Sequence, residues 1–100
     1  MPAMNAEVSH SLGREEALER LRSFSEKIRD KYKGQVSDME ESWADETLNF
    51  SFKSFGFKVS GSLIVGDDSV KLDGKLPIAA MVFKGKIQQE FVDQLNKLLS

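Results

Sequence analysis

The chain has 100 residues, of which 40% are hydrophobic and 30% charged, with a net charge of −2. This balance is typical of one folded domain and excludes a disordered chain. The sequence has no cysteine and one histidine, which excludes disulfides, thiol nucleophiles and the usual zinc ligand sets. We expect a single domain over residues 1–100, in which residues 1–7 are disordered or form an edge strand.

The first residues have no basic segment followed by an apolar one, so they do not resemble a secretory signal. The most apolar run, Ile78–Phe83, has six residues, far fewer than the roughly 20 needed to cross a bilayer. We therefore expect a cytoplasmic protein without a transmembrane segment.

The first half of the chain predicts a short strand over residues 6–10 and then one long helix over residues 11–33. Ser11 is a candidate N-cap and Gly34 a residue that ends the helix. Apolar residues recur at spacings of three and four, which indicates one buried helical face. They are Ala17, Leu21, Phe24, Ile28 and Tyr32.

The middle of the chain predicts four strands. Residues 35–43 are weakly patterned, whereas residues 47–54, 57–65 and 70–76 alternate between apolar and polar side chains. A second helix is predicted over residues 87–98. We expect an α+β fold of order β-α-β-β-β-β-α, a curved antiparallel sheet with two helices packed on one face, because one face of each strand is polar.

The apolar segment Ile78–Phe83 lies between the last strand and the second helix, as a separate helical turn or a loop. If it is buried it completes the core, which we favour because a small domain needs its apolar residues. If it is exposed, its large side chains form a contact surface for a polymer, a lipid or a second subunit. These side chains are Ile78, Met81, Val82 and Phe83.

Polar residues give little sign of a reaction centre. His10 precedes a helix and suits a capping or surface role, since no serine elbow is present to make it a catalytic base. Asp67 and Asp68 fit a solvated turn better than a calcium loop. Glu40 and Glu41 are neighbours on a strand and face opposite sides. We predict no catalytic residues, no metal and no cofactor.

Residues 53–59 resemble the aromatic RNP1 segment of RNA-recognition domains, but the match fails. Ser54 and Ser60 stand where that motif has glycine and an aromatic residue, and the chain is acidic. We predict that Phe50, Phe52 and Phe57 are core residues, that Gly56 makes a bend, and that the protein does not bind nucleic acid.

Three segments together resemble the polyhydroxyalkanoic acid system family of small bacterial proteins. They are the run Val-Ser-His-Ser-Leu-Gly-Arg-Glu-Glu-Ala at 8–17, Gly-Ser-Leu-Ile-Val at 61–65 with Val-Lys-Leu at 70–72, and Leu-Pro at 76–77 followed by Phe-Lys-Gly-Lys-Ile at 83–87. The likeness extends over residues 8–99. The resemblance implies an association with the genes of polyhydroxyalkanoate metabolism. It assigns no catalytic residue to this chain.

From these features we predict a non-enzymatic accessory protein that binds a hydrophobic ligand or the surface of a polyhydroxyalkanoate granule. One alternative is a homodimeric interaction module that uses an open sheet face or edge. Another is a small enzyme with an apolar pocket between sheet and helices. Such an enzyme would need convergent polar groups, and His10, Tyr32 and scattered carboxylates are the candidates.

Overall fold

A computed structural model describes residues 3–54 and 56–100. Met1 and Pro2 of the predicted N-terminal segment, and Phe55 of the RNP1-like segment, lie outside the described residues. The elements, in chain order, are β1 (Ala3–Ser9), α1 (Arg14–Leu21), α2 (Phe24–Lys31), β2 (Val36–Ala44), β3 (Thr47–Ser54), β4 (Phe57–Val65), β5 (Ser69–Lys75), a 3₁₀ helix (Ile78–Phe83) and α3 (Lys84–Leu99).

The five strands form one open antiparallel sheet in the order β1-β5-β4-β3-β2. The last four strands are neighbours in space because short turns join them. The strand β1 adds to the free side of β5, pairing from Ala3↔Lys75 to Ser9↔Ser69. The predicted α+β class is therefore confirmed, with β1 and β2 as the two edges.

One face of the sheet carries the core, and all three α-helices contribute to it. Alternate residues of the four strands β1, β3, β4 and β5 are buried, whereas the residues between them are exposed or half-buried. This is the pattern expected when helices cover one side and water the other. The buried strand residues include Met4, Val8, Leu48, Phe50, Phe52, Val59, Leu63, Val65, Val70 and Leu72.

The single long helix predicted over residues 11–33 is wrong in detail, since two helices stand there. The break falls at Ser23, whose side-chain hydroxyl donates a 3.2 Å hydrogen bond to the Arg20 carbonyl. Such side-chain bonds compete with the helical backbone pattern. The predicted apolar stripe still faces the core across the break. The start is also corrected, because Gly13 rather than Ser11 is the N-cap.

The edge strand β2 contains a bulge between Ser37 and Glu40. Asp38 has a φ of 53° at this bulge, and its carboxylate lies 3.4 Å from the Lys53 ammonium group. Beyond the bulge Glu40 accepts a hydrogen bond from the neighbouring strand and Glu41 accepts one from α2, so these two carboxylates face opposite sides as predicted. A bulged, acidic edge discourages pairing with another strand.

Candidate functional site

The segment Ile78–Phe83 is exposed, and the burial that the sequence favoured is wrong. Val82 is 83% and Ile78 74% exposed, and Met81 and Phe83 are also exposed. Within the segment, Ala80 is buried. A 3₁₀ helix has three residues per turn, so residues three apart share a side. The side that contains Ala80 packs against the protein. The other two sides expose apolar residues, among them Ile78, Met81 and Val82, to solvent.

Phe83 connects this segment to the rest of the fold. Its ring lies 6.1 Å, centroid to centroid, from the ring of Phe57 at the start of β4. The segment runs directly into α3, whose first turn contains Gly85. The segment that carries the exposed apolar side chains is thus anchored by the contact between the Phe57 and Phe83 rings and by the start of α3.

A cavity of about 460 Å³ lies beside the segment, between the helices α2 and α3 and the ends of β2 and β3. Its floor is apolar and buried, and its rim is polar and partly exposed. The residues that line it are Ile28, Tyr32, Gln35, Val36, Phe52, Ser54, Phe83, Lys86, Ile87, Glu90 and Phe91.

The cavity floor belongs to an aromatic cluster centred on Phe91. The Phe91 ring centroid lies 5.3 Å from that of Phe50, 6.1 Å from that of Phe52 and 6.3 Å from that of Phe24. Tilted pairs at these distances are favourable beyond the area they bury. The predicted core role of Phe50 and Phe52 is confirmed, and these rings face the helices rather than the open side of the sheet.

The polar rim is built around a pair that is 58 residues apart in sequence. The Tyr32 hydroxyl donates a hydrogen bond to the Glu90 carboxylate. Burial, followed by this carboxylate, raises the pKa of Tyr32 to about 12. The phenol, which is protonated at neutral pH even at the ordinary tyrosine pKa of about 10, thus stays protonated to higher pH here. Lys86 lies one helical turn before Glu90 on α3 and also lines the cavity.

His10 and the two turn aspartates lie at the opposite end of β4 from the cavity. The His10 ring joins Leu12 to Gly66, accepting from the Leu12 amide at Nδ1 and donating from Nε2 to the Gly66 carbonyl, both at 3.2 Å. The Asp68 carbonyl accepts from the His10 amide at 2.8 Å. His10 thus holds a loop against the β4–β5 turn, and it does not converge with Tyr32.

Arg14 bridges two carboxylates at this same end. Its Nη1 lies 3.2 Å from Glu46, and its Nε lies 3.5 Å from Asp67. Within residues 3–54 and 56–100, no three histidine or acidic side chains are grouped so that they could hold a metal ion. Among the helices described, none is long and apolar enough to span a bilayer.

The sequence indicated the apolar segment directly, and it gave an apolar pocket between sheet and helices only as part of an alternative. Tyr32 ends the predicted apolar stripe of the first helical region and is also a candidate polar group of such a pocket, whereas Glu90 is not among the predicted site residues. Their one local signal is that Glu90 lies four residues after Lys86, on the same face of a helix. Nothing in the sequence indicates that this face meets Tyr32.

In a comparison with protein-family models, residues 4–99 match the family described as "putative polyhydroxyalkanoic acid system protein". The resemblance stated from the three sequence segments is thereby confirmed over nearly the whole chain. The searches of curated proteins and of solved structures find no significant match.

Proposed function

The chain belongs to the family of polyhydroxyalkanoic acid system proteins, and we propose that it is a non-enzymatic accessory protein of cytoplasmic polyhydroxyalkanoate granules. It binds the hydrophobic polymer surface through the exposed side chains of Ile78–Phe83. The observation that carries this proposal is the clustering of exposed large apolar residues. The described residues include five exposed large apolar side chains, of which four lie in this segment and the fifth is Ile64.

The segment is suited to an apolar surface because its side chains protrude. Removing a large apolar side chain from water contributes roughly 1.5–3 kcal/mol when it is fully buried. Ile78, Met81 and Val82 together would supply several times the thermal energy on contact. Lys84 and Lys86 follow the segment directly, so polar groups border the apolar patch, as is common at contact surfaces.

The polar groups of the cavity support a binding role over catalysis. The phenol of Tyr32 is protonated at neutral pH, as in an ordinary tyrosine, and its raised pKa makes it a still weaker acid, so it acts as a hydrogen-bond donor. The Glu90 carboxylate already accepts the hydrogen bond from that hydroxyl. The histidine that could complete a nucleophilic arrangement is at the far end of β4. An activated nucleophile needs such a base within hydrogen-bond reach.

The test is co-sedimentation of purified protein with polyhydroxyalkanoate granules. The double variant Met81→Asp/Val82→Asp places two charges where the polymer would lie, and we expect it to lose most of the bound fraction. These side chains are exposed, so the variant should unfold at the same urea concentration as the wild type.

The matched control is Ile64→Asp/Ala44→Asp, which adds two charges at exposed positions on the open face of the sheet. We expect this control to sediment with the granules like the wild type. Equal partitioning of the Met81/Val82 variant and the wild type would refute the proposed surface.

A homodimer through the same segment is the alternative, favoured by the same exposed side chains. Light scattering over a dilution series distinguishes the two. A dimer that dissociates in Met81→Asp/Val82→Asp would assign the segment to self-association, whereas a monomer at all concentrations would leave it accessible to the polymer.

A further inference from the structure

The cavity beneath α3 has an apolar floor and a rim that carries a positive charge. We propose that it binds a linear aliphatic carboxylic acid, with the acyl chain on the aromatic floor and the carboxylate against Lys86. This site is separate from the exposed side chains of Ile78, Met81 and Val82, and the inference does not depend on granule binding.

The floor is suited to an acyl chain because it presents hydrocarbon and no charged group. Ile28, Phe52 and Phe91 are the buried residues among those that line the cavity. Val36 and Ile87 are half-buried and add further apolar surface to the lining. A cavity of about 460 Å³ is within the range of roughly 300–1,000 Å³ that holds small-molecule ligands.

The head group follows from the charges of the rim. Glu90 lies four residues after Lys86, which is the spacing of a helical ion pair. Its carboxylate is instead engaged by the Tyr32 hydroxyl. Among residues 3–54 and 56–100 no carboxylate forms an ion pair with Lys86. Lys86 lines the cavity, and its charge is therefore available to an anion bound there.

Other rim groups add hydrogen bonds rather than charge. Gln35 supplies an amide and Ser54 a hydroxyl at the cavity wall, and both can donate to a carboxylate or a chain hydroxyl. The hydrogen bond from Tyr32 reduces the repulsion that Glu90 would exert on an anionic head. A ligand with one anionic end and one apolar end matches the apolar floor and the Lys86 side of the rim.

The test is calorimetric titration of the whole chain with butanoate, hexanoate and octanoate, and with methyl octanoate as an uncharged analogue. Affinity should rise about three- to fourfold for each methylene that enters the cavity. The acid should bind about two- to fivefold more tightly than its ester, as expected for one exposed charge pair. Beta-hydroxyoctanoate, run in parallel, distinguishes a fatty acid from a hydroxy acid, since the tighter ligand identifies the source.

Four variants make the result specific. Lys86→Gln should remove the preference for acid over ester, whereas Lys75→Gln on the open sheet face should retain it. Ser54→Phe should fill the cavity and abolish binding of both ligands. Met81→Asp/Val82→Asp should bind octanoate like the wild type, so this result is independent of the outcome with granules.

The proposal would be overturned if octanoate did not bind, if acid and ester bound the wild type equally, or if Lys86→Gln kept the preference. Binding of octanoate to folded Ser54→Phe with wild-type affinity would also overturn it. The acid-to-ester ratio in Lys86→Gln remains decisive if Ser54→Phe does not fold.

Discussion

Gly61 and Gly74 lie directly opposite each other on β4 and β5, on the face of the sheet that the helices cover. A Cβ atom on Gly61 would stand 2.6 Å from the Asp73 carbonyl oxygen and 3.1 Å from the Phe50 ring. A Cβ atom on Gly74 would stand 2.7 Å from the end of the Met4 side chain. The glycine pair thus leaves space that Phe50 and Met4 occupy.

We predict that Gly61→Ala destabilises the fold by about 2–3 kcal/mol, because backbone atoms must move and overpacking in cores costs about 1–3 kcal/mol. Gly74→Ala should cost less, since the flexible end of Met4 can turn away. The midpoint of urea unfolding measures both effects.

The control for the glycine pair is Gly85→Ala in the first turn of α3, where a Cβ atom meets nothing within 4 Å. Alanine is favoured over glycine in helices by about 0.5–1 kcal/mol, so this variant should be slightly more stable. A smaller cost for Gly61→Ala than for Gly74→Ala would contradict the proposed packing.

His10 is predicted to stabilise the protein rather than to take part in chemistry. Replacement by alanine removes its two ring hydrogen bonds and leaves the Leu12 amide and the Gly66 carbonyl without this partner. The expected loss is about 1–2 kcal/mol, measured by chemical unfolding. Ser11→Ala, next to it on the exposed surface, is the control and should unfold like the wild type.

Arg20 connects α1 to the end of α3. Its Nη1 donates to the Leu98 carbonyl at 3.1 Å, and its Nε lies 3.4 Å from Glu16. Charge and donors near a helix C-terminus are stabilising. Arg20→Gln should therefore cost about 1 kcal/mol and speed hydrogen exchange in the last turn of α3. Arg22→Gln removes a solvent-exposed pair and should change neither measurement.

Tyr32 is the only tyrosine in the chain, so tyrosinate absorbance reports on it alone. Its pKa is raised to about 12 by burial and by Glu90. The protonated form is therefore favoured by folding. This contribution is complete below the ordinary tyrosine pKa of about 10 and is lost as pH rises through about 12.

The variant Glu90→Gln should lower the midpoint of that titration, since it removes the negative charge but leaves the burial. Glu40→Gln, on the open face of the sheet, should leave the midpoint unchanged. An unchanged midpoint in Glu90→Gln would show that the hydrogen bond between Tyr32 and Glu90 is absent in solution.

Much of the architecture could be predicted from the sequence. Each strand and helix buries one face and exposes the other, so its apolar residues recur at a regular spacing along the chain. Alternation through Leu48, Phe50 and Phe52 placed these residues on the covered face. The spacing of Ala17, Leu21 and Ile28 identified the buried face of the first helical region. The break at Ser23 was missed, since it depends on one side-chain hydrogen bond that leaves this spacing intact.

The candidate site could be predicted only in part. The composition of Ile78–Phe83 drew attention to the segment, but its exposure depends on how many sides of a 3₁₀ helix the sheet and α3 can cover. That number is set by packing and not by hydrophobicity. The cavity and the Tyr32–Glu90 pair join residues from α2, α3 and two strand ends.

The sequence by itself determined the α+β class, the covered face of the sheet and the absence of cysteine chemistry, because each follows from local period or composition. The tertiary structure alone decided which apolar residues remain in water and which polar residues meet at the cavity. These outcomes depend on contacts between segments that are distant in the sequence, and such contacts leave no periodic pattern of apolar residues along the chain.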